Sequence, residues 1–154
     1  VTFALGPTSL RNLGGVHPIL EALVKRAIEI TTQDFTVTCG VRTLADEEAA
    51  VAAGRSKTLN SKHLVQPDGY GHAVDLVPWE NGAATWDWPL IYPIAAAMRQ
   101  AAAEASVQII WGGSWDRLMS ALPGDPAGLE AAVQAYKSRH AAPVLLDGPH
   151  YQLS

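Results

Sequence analysis

Apolar residues at Ile19, Leu20, Leu23, Val24, Ala27 and Ile28 recur at the spacing of one helix face, so the stretch opened by His17-Pro18 predicts an amphipathic helix ending near Thr31. The period then changes. Phe35, Val37 and Cys39 alternate with Thr36, Thr38 and Gly40, the pattern of a half-buried strand after the turn-forming Gln33-Asp34. Thr43 is placed to cap a second helix over 44–53, with Glu47 in its first turn and Gly54 as its stop. Residues 55–70 are polar and turn-rich, and they lead into the apolar run 73–77, read as a strand that Pro78 ends. Ile91, Ile94, Met98 and Ala102 mark a third, alanine-rich helix over about 89–106, followed by a strand over 107–111 that Gly112-Gly113 stops. A weaker, peripheral helix is expected over 126–140 and a short last strand over 149–153. Helices and strands do not alternate as in a parallel doubly wound sheet, and no glycine-rich loop joins a strand to a helix in a nucleotide-binding pattern. The expected architecture is α+β, with one small, mostly antiparallel sheet flanked by helices.

Composition narrows the possibilities. With 154 residues, 48% hydrophobic and 17% charged, the chain is expected to form one domain around one core, and it is too apolar for disorder. Eleven basic against fifteen acidic residues give a net charge of −4 with no basic cluster, which excludes a phosphate-neutralising surface and makes nucleic acid an unexpected partner. No apolar run reaches the length of about 18 residues that a membrane span needs, and no basic segment followed by an apolar one opens the chain as an export signal. Cys39 is the single cysteine, so support for the fold must come from packing or a metal rather than from an internal disulfide.

Five histidines are then the more informative count. Asp75 stands inside an apolar strand, where a carboxylate must be paired or bind a metal. His63 in the polar loop and His150 at the start of the last strand supply two imidazoles. Together these three make a ligand set of hydrolytic zinc, with a fourth position open for water. The interval of twelve positions from His63 to Asp75 is neither a zinc-finger knuckle nor the i, i+4 pair of a helical His-Glu-x-x-His site.

The local context is more specific than the spacing. Ser61-Lys62-His63 followed by Gly71-His72-Ala73-Val74-Asp75 resembles the Ser-x-His and Gly-x-Ala-x-Asp motif of the zinc D-alanyl-D-alanine carboxypeptidase and L-alanyl-D-glutamate endopeptidase family, which cuts peptidoglycan stem peptides. Cys39-Gly40-Val41-Arg42-Thr43 looks like the segment that supplies that family's active-site arginine. Asp147-Gly148-Pro149-His150 looks like its acidic-residue-x-x-His signature, and Trp111-Gly112-Gly113-Ser114-Trp115 is similar to the Trp-Gly-Gly-Asp-Trp segment of its phage endolysin branch. These separated motifs occur in the family's order and cover the chain from about Leu13 to Leu153. Two departures stand out: residues 65–70 look like a loop extension, and Ser114 replaces an acid.

The resemblance implies a hedgehog/DD-peptidase-like fold and a Zn2+ cofactor held by His63, Asp75 and His150. It further implies that Asp147 takes the proton of the attacking water and returns it to the leaving amine, while Arg42 faces the developing oxyanion or a substrate carboxylate. The expected activity is hydrolysis of the L-alanyl-D-glutamate bond, with D-alanyl-D-alanine carboxypeptidase activity or a non-catalytic, zinc-stabilised wall-binding module as alternatives. The expected setting is a monomeric, single catalytic domain without a separate wall-binding module, held in the host cytoplasm before lysis and then acting on the wall.

Each residue also has a plainer reading. Asp147 also fits an ordinary Asp-Gly turn, and Arg42 an ion pair with Asp46 or Glu47 at a helix start. His72 competes with the other ligands, but in a strand it points away from the face shared by Ala73 and Asp75 and is expected to flank the site. Asp68 reads as a loop residue, His17 and His140 as structural or solvated, and Ser61 as a group bonding a ligand or the backbone. Trp111 and Trp115 are placed near the cleft, and Cys39 reads as a buried apolar residue rather than a nucleophile.

Overall fold

A computed structural model describes residues 2–54 and 60–154. In chain order the elements are α1 (Pro7–Asn12), α2 (Pro18–Ile30), β1 (Phe35–Cys39), α3 (Leu44–Ala52), β2 (Ala73–Glu80), β3 (Ala83–Ala84), α4 (Trp88–Ala105), β4 (Ile109–Trp111), α5 (Pro126–Arg139) and β5 (His150–Leu153), with a 3-10 turn at Met119–Ala121. The sheet runs β1-β2-β5-β4 with every pairing antiparallel, and β3 pairs with β2 as a hairpin. The last strand therefore inserts between β2 and β4, which is how residue 150 comes to lie beside residue 75.

The helix periodicity has its expected cause. Leu20, Leu23, Val24, Ala27 and Ile28 of α2 are buried, and so are Ile91, Ile94, Ala95, Met98, Ala101 and Ala102 of α4. The two helices pack on each other and join one core cluster with Val37, Val74, Leu76 and Tyr151. Cross-strand pairs Val37↔Leu76 and Val74↔Tyr151 set those residues on one face of the sheet. Each fully buried Leu or Ile there contributes about 1.5–3 kcal/mol relative to an exposed one. Alternation along β2 consigns Ala73, Asp75, Val77 and Trp79 to the opposite face.

Three features depart from the expected pattern. β2 does not end at Pro78 but runs to Glu80. Proline lacks an N–H, so the strand loses a single ladder bond there, while the Pro78 carbonyl still accepts from the Thr85 amide at 2.9 Å and carries the pairing on. The hairpin beyond it turns on Asn81 (φ 52°) and Gly82 (φ 79°), the left-handed pair that suits the right-handed twist of two joined strands. The lead-in 7–12 forms a helix that protects the sheet's edge: Ser9 Oγ accepts from the Val37 amide at 3.0 Å, and Asn12 Nδ2 donates to the Val37 carbonyl at 2.8 Å. The polar loop begins at residues 55–59, which lie outside the described residues. Among the described residues no helix is long and apolar enough to cross a membrane.

Candidate metal centre

Strand register assembles the centre. Cys39 pairs with Asp75 and Asp75 with His150, so these residues form one row across β1, β2 and β5. His63 reaches the same row from the loop, whose backbone is pinned at both ends: Arg42 N donates to His63 O at 2.9 Å, and His72 N to Lys62 O at 2.8 Å. Ser61 Oγ accepts from the His63 amide at 3.1 Å, a backbone role. The result brings His63 Nε2 within 3.2 Å and His150 Nδ1 within 3.4 Å of the same oxygen, Asp75 Oδ1. Both imidazoles are buried, at 3% and 6% exposure, so the donors converge away from bulk water.

The second nitrogen of each ring fixes what the first can do. His63 Nδ1 lies 2.7 Å from the Gly40 carbonyl, an acceptor only, so Nδ1 carries a hydrogen and Nε2 of the neutral ring presents its lone pair. His150 Nε2 lies 2.9 Å from Gln152 Oε1, which in the same way turns the Nδ1 lone pair toward Asp75. Two imidazole lone pairs and a carboxylate directed at one region fit a zinc ion, and ring nitrogens held from behind by a carbonyl and an amide are the usual support of such ligands. The electrostatics add that a cation at His63 Nε2 competes with a proton shared with Asp75. Burial works against a charged His63, but hydrogen bonds to Asp75 and Cys39 carry it up to about 10. Burial likewise disfavours ionised Asp75, yet His150 and His63 hold its carboxyl well below the usual range. The centre therefore attracts positive charge.

Asp147 stands at its rim, with a carboxylate oxygen, an Asp75 oxygen and a His150 nitrogen all within 4.8 Å of one another. Its backbone is locked to β4: Asp147 N donates to Gly112 O and Gly112 N donates to His150 O, both at 2.9 Å. A Cβ at position 112 would collide with the Asp147 carbonyl, which explains the first glycine of the Trp-Gly-Gly motif. Burial first and the Asp75 charge second push the Asp147 carboxyl up, while His150, His63 and Arg42 pull against that rise. Arg42 is thus felt at the centre, but its guanidinium is committed: Nη1 donates to the fully buried Glu47 at 2.6 Å, and Nη2 lies 3.6 Å from Cys39 Sγ. The plain ion pair and a position beside the site coexist.

Other residues fall outside the row or take different roles. Cys39 is half-buried rather than fully buried, its sulfur 3.6 Å from His63 Nδ1, and Cys39, His63 and Asp75 form a second group able to hold a metal. It is therefore not the inert apolar residue expected from the strand pattern. His72 Nε2 is 2.7 Å from Asp68 Oδ2, and Asp68 Oδ1 accepts from the Tyr70 amide at 3.1 Å, so Asp68 organises the loop 65–70. His17 caps α2 by accepting from Ile19 N at 3.1 Å, and His140 meets Asp116 at 3.0 Å. Trp111 is fully buried and donates to Gly148 O at 2.7 Å, supporting the Asp147 turn from beneath; Trp115 does reach the centre, its ring 4.8 Å from that of His150. Buried Ser114 bonds Asp116 at 3.4 Å. Gln152 was missed by the motif reading, although a residue two positions after a ligand on a strand shares its face.

Comparison with known proteins agrees with the fold and the motifs. The family described as phage L-alanyl-D-glutamate peptidase matches residues 1–123. The chain is 31% identical over 120 residues to the L-alanyl-D-glutamate peptidase of Escherichia phage T5, covering 75% of this chain and 84% of that protein. The crystal structure of the Serratia marcescens L-Ala D-Glu endopeptidase ChiX is similar with a TM-score of 0.72 and 33% identity, over 100% of this chain and 90% of the other.

Proposed function

The chain belongs to the phage L-alanyl-D-glutamate peptidase family, and from that premise we propose how its residues hydrolyse the L-Ala–D-Glu bond of peptidoglycan stem peptides. His63 Nε2, Asp75 and His150 Nδ1 would hold a Zn2+ ion. When bound, such an ion lowers the pKa of a coordinated water from 15.7 to about 7 and polarises a carbonyl. The observation that carries this reading is the pair of imidazole lone pairs aimed at one carboxylate, each fixed from behind by an acceptor.

Asp147 receives the proton of the attacking water and delivers it to the amine of D-Glu as the peptide bond breaks. Its burial, which raises its proton affinity, suits a group that must hold that proton between the two steps. Arg42 supplies fixed positive charge to the carbonyl oxygen that becomes negative, or to a carboxylate of the stem, and Glu47 holds its fork in place. Trp115, whose buried Nε1 has no partner among the described residues, offers a donor to the bound peptide. The D-alanyl-D-alanine alternative has no support in the relatives, both of which are named for the L-Ala–D-Glu bond.

The cell wall is then the place of action. We further propose that this domain works as a monomeric catalytic unit, waiting in the host cytoplasm until lysis. Replacing Asp147 with Ala tests the chemical assignment. Zinc content should stay at the wild-type level while hydrolysis of a stem peptide falls about 10²–10⁴-fold; undiminished hydrolysis would remove Asp147 from its role.

A further inference from the structure

The scissile bond makes a geometric demand on the protein around it. In peptidoglycan the L-alanine amine is joined to the lactyl group of a muramic sugar, so the glycan begins one residue from the bond to be cut. An extended residue spans at most about 3.3–3.6 Å, so the sugar ring must rest within roughly 10 Å of the ligand row, three such lengths at most.

One large aromatic side chain is exposed near that range, and a second stands beyond it on β2. Trp86 is 62% and Trp79 40% exposed. Trp79 lies two positions beyond Val77 and four beyond Asp75 on β2, on the same face as Asp75. Trp79 pairs with Ala84, and the Thr85 amide donates to Pro78 O at 2.9 Å, so the hairpin brings the chain back to the level of Pro78 immediately before Trp86. Trp86 thus follows a residue held against Pro78, three positions beyond Asp75 along the strand, roughly 10 Å, on the edge of β2 that also receives β5.

The hairpin that presents these rings is built to be rigid. The Asn81-Gly82 turn closes it. Trp79 N donates to Asp34 O at 2.9 Å, and Trp79 O accepts from Gln33 Nε2 at 3.0 Å. Asp87 N donates to Thr85 Oγ1 at 3.3 Å beside Trp86. A platform already ordered loses little entropy when something lands on it. Exposed indoles on a catalytic face are costly in water, and their negative π faces match the weakly positive C–H edge of a pyranose ring, while Nε1–H suits a sugar hydroxyl or acetamido carbonyl.

We propose that Trp86, backed by Trp79, is the surface on which the glycan strand stacks its N-acetylmuramic acid residue next to the cut stem. This glycan subsite rests on the peptidase reading above and names the part of the substrate that reading leaves unplaced. It makes the enzyme prefer stems still attached to sugar over free peptides of the same sequence.

The test uses the zinc-loaded protein with two substrates of identical stem sequence, one carrying N-acetylmuramic acid and one without sugar. It adds a binding measurement with peptide-free glycan strands, which hold no bond for a peptidase to cut. In Trp86→Ala, KM for the muramyl peptide should rise about five- to tenfold with kcat unchanged, while kinetics on the sugar-free peptide stay within twofold of wild type. Trp86→Phe should recover most of the loss, and peptide-free strands should bind Trp86→Ala at least fivefold more weakly at an unaltered thermal midpoint. Equal losses on both peptides, no loss on either, or unchanged binding of peptide-free strands would overturn the platform. Failure of the wild-type protein to cut either peptide while Trp86 still governs glycan binding would strike the peptidase reading and leave the platform standing.

Discussion

The molecule holds two clusters of the same composition, two histidines around one aspartate, and they differ in what they can do. In one, His63 and His150 flank Asp75 on a buried face of the sheet. In the other, His17 and His72 flank Asp68 at the loop 65–70, with the carboxylate 40% exposed. Their carboxylate contacts are of similar length: 3.2 and 3.4 Å in the first, 2.7 and 3.8 Å in the second. What separates them is the far side of each ring. His63 and His150 give their outward hydrogens to Gly40 O and Gln152 Oε1, which turns a lone pair inward. His17 does the reverse. Its Nδ1 accepts from the Ile19 amide, so the hydrogen of the neutral ring sits on Nε2 and points toward Asp68. The first cluster presents electron pairs to a cation; the second is a set of donors closed on a carboxylate. Residue type names a candidate site, and the partner behind each ring decides whether it can bind metal.

The sharpest break in that contrast comes from the ligands themselves. His63→Ala, Asp75→Ala and His150→Ala should each lose bound zinc and lower kcat/KM by at least about 10³-fold, near the upper part of what a positioned metal and its water supply. The matching changes His17→Ala and His72→Ala should retain zinc. Metal analysis beside stem-peptide hydrolysis checks both halves, and full zinc in any of the first three variants would remove that residue from the ligand set.

A subtler break acts behind the ring. Gln152→Leu should keep every ligand yet weaken zinc affinity about 10–100-fold, the usual cost of losing a partner that orients a metal-bound histidine. Gln152→Glu, which still accepts from His150 Nε2, should recover most of it. Competition with a zinc-sensitive dye reads the difference, and equal affinity in Gln152→Leu and wild type would show that the strand alone orients His150.

The smallest effect belongs to the exposed cluster. Burial opposes ionisation of Asp68, but the His72 hydrogen bond, the Tyr70 amide and the nearby His17 together outweigh it and hold its carboxyl below the ordinary value. A carboxylate with a folded-state pKa below its unfolded one stabilises the fold above the unfolded value, and that contribution is lost as pH falls through the folded value. Asp68→Asn should therefore lower the thermal midpoint by a few degrees at most near pH 7, and the gap to wild type should close below about pH 4. A gap that persists or widens in acid would assign the loop's order to something other than this carboxylate.

Much of this arrangement could be read from the chain because it is written in local periods. The alternation around Cys39 and Asp75 and the helix face of 19–28 survive folding as strands and a helix, and the spaced His63, Asp75, Asp147 and His150 fall into two donor groups that share Asp75, one of them including Cys39. Details carried by distant partners could not be read in this way. Pro78 reads as a strand end because its missing N–H is visible, whereas the hairpin side on which only its carbonyl is used is a tertiary fact. The helix at 7–12 has too few turns for a hydrophobic stripe and is held by Ser9 and Asn12 on the edge of β1. Cys39 looks apolar on a strand until the loop folds His63 against it, and Arg42 keeps its ion pair with Glu47 while its charge is also felt at Asp147. The helix at 7–12 and Cys39 are set by contacts 24 to 28 positions along the sequence.

Because Cys39 lies close enough to His63 and Asp75 to form a competing donor group, the measurement that bears most directly on the centre is X-ray absorption at the zinc edge of protein loaded with one equivalent of zinc. The expected spectrum contains only nitrogen and oxygen neighbours at about 2.0–2.2 Å, with imidazole scattering that diminishes in His150→Ala. A sulfur neighbour at about 2.3 Å, with imidazole scattering indifferent to His150, would contradict the His63, Asp75 and His150 assignment and place the metal on Cys39.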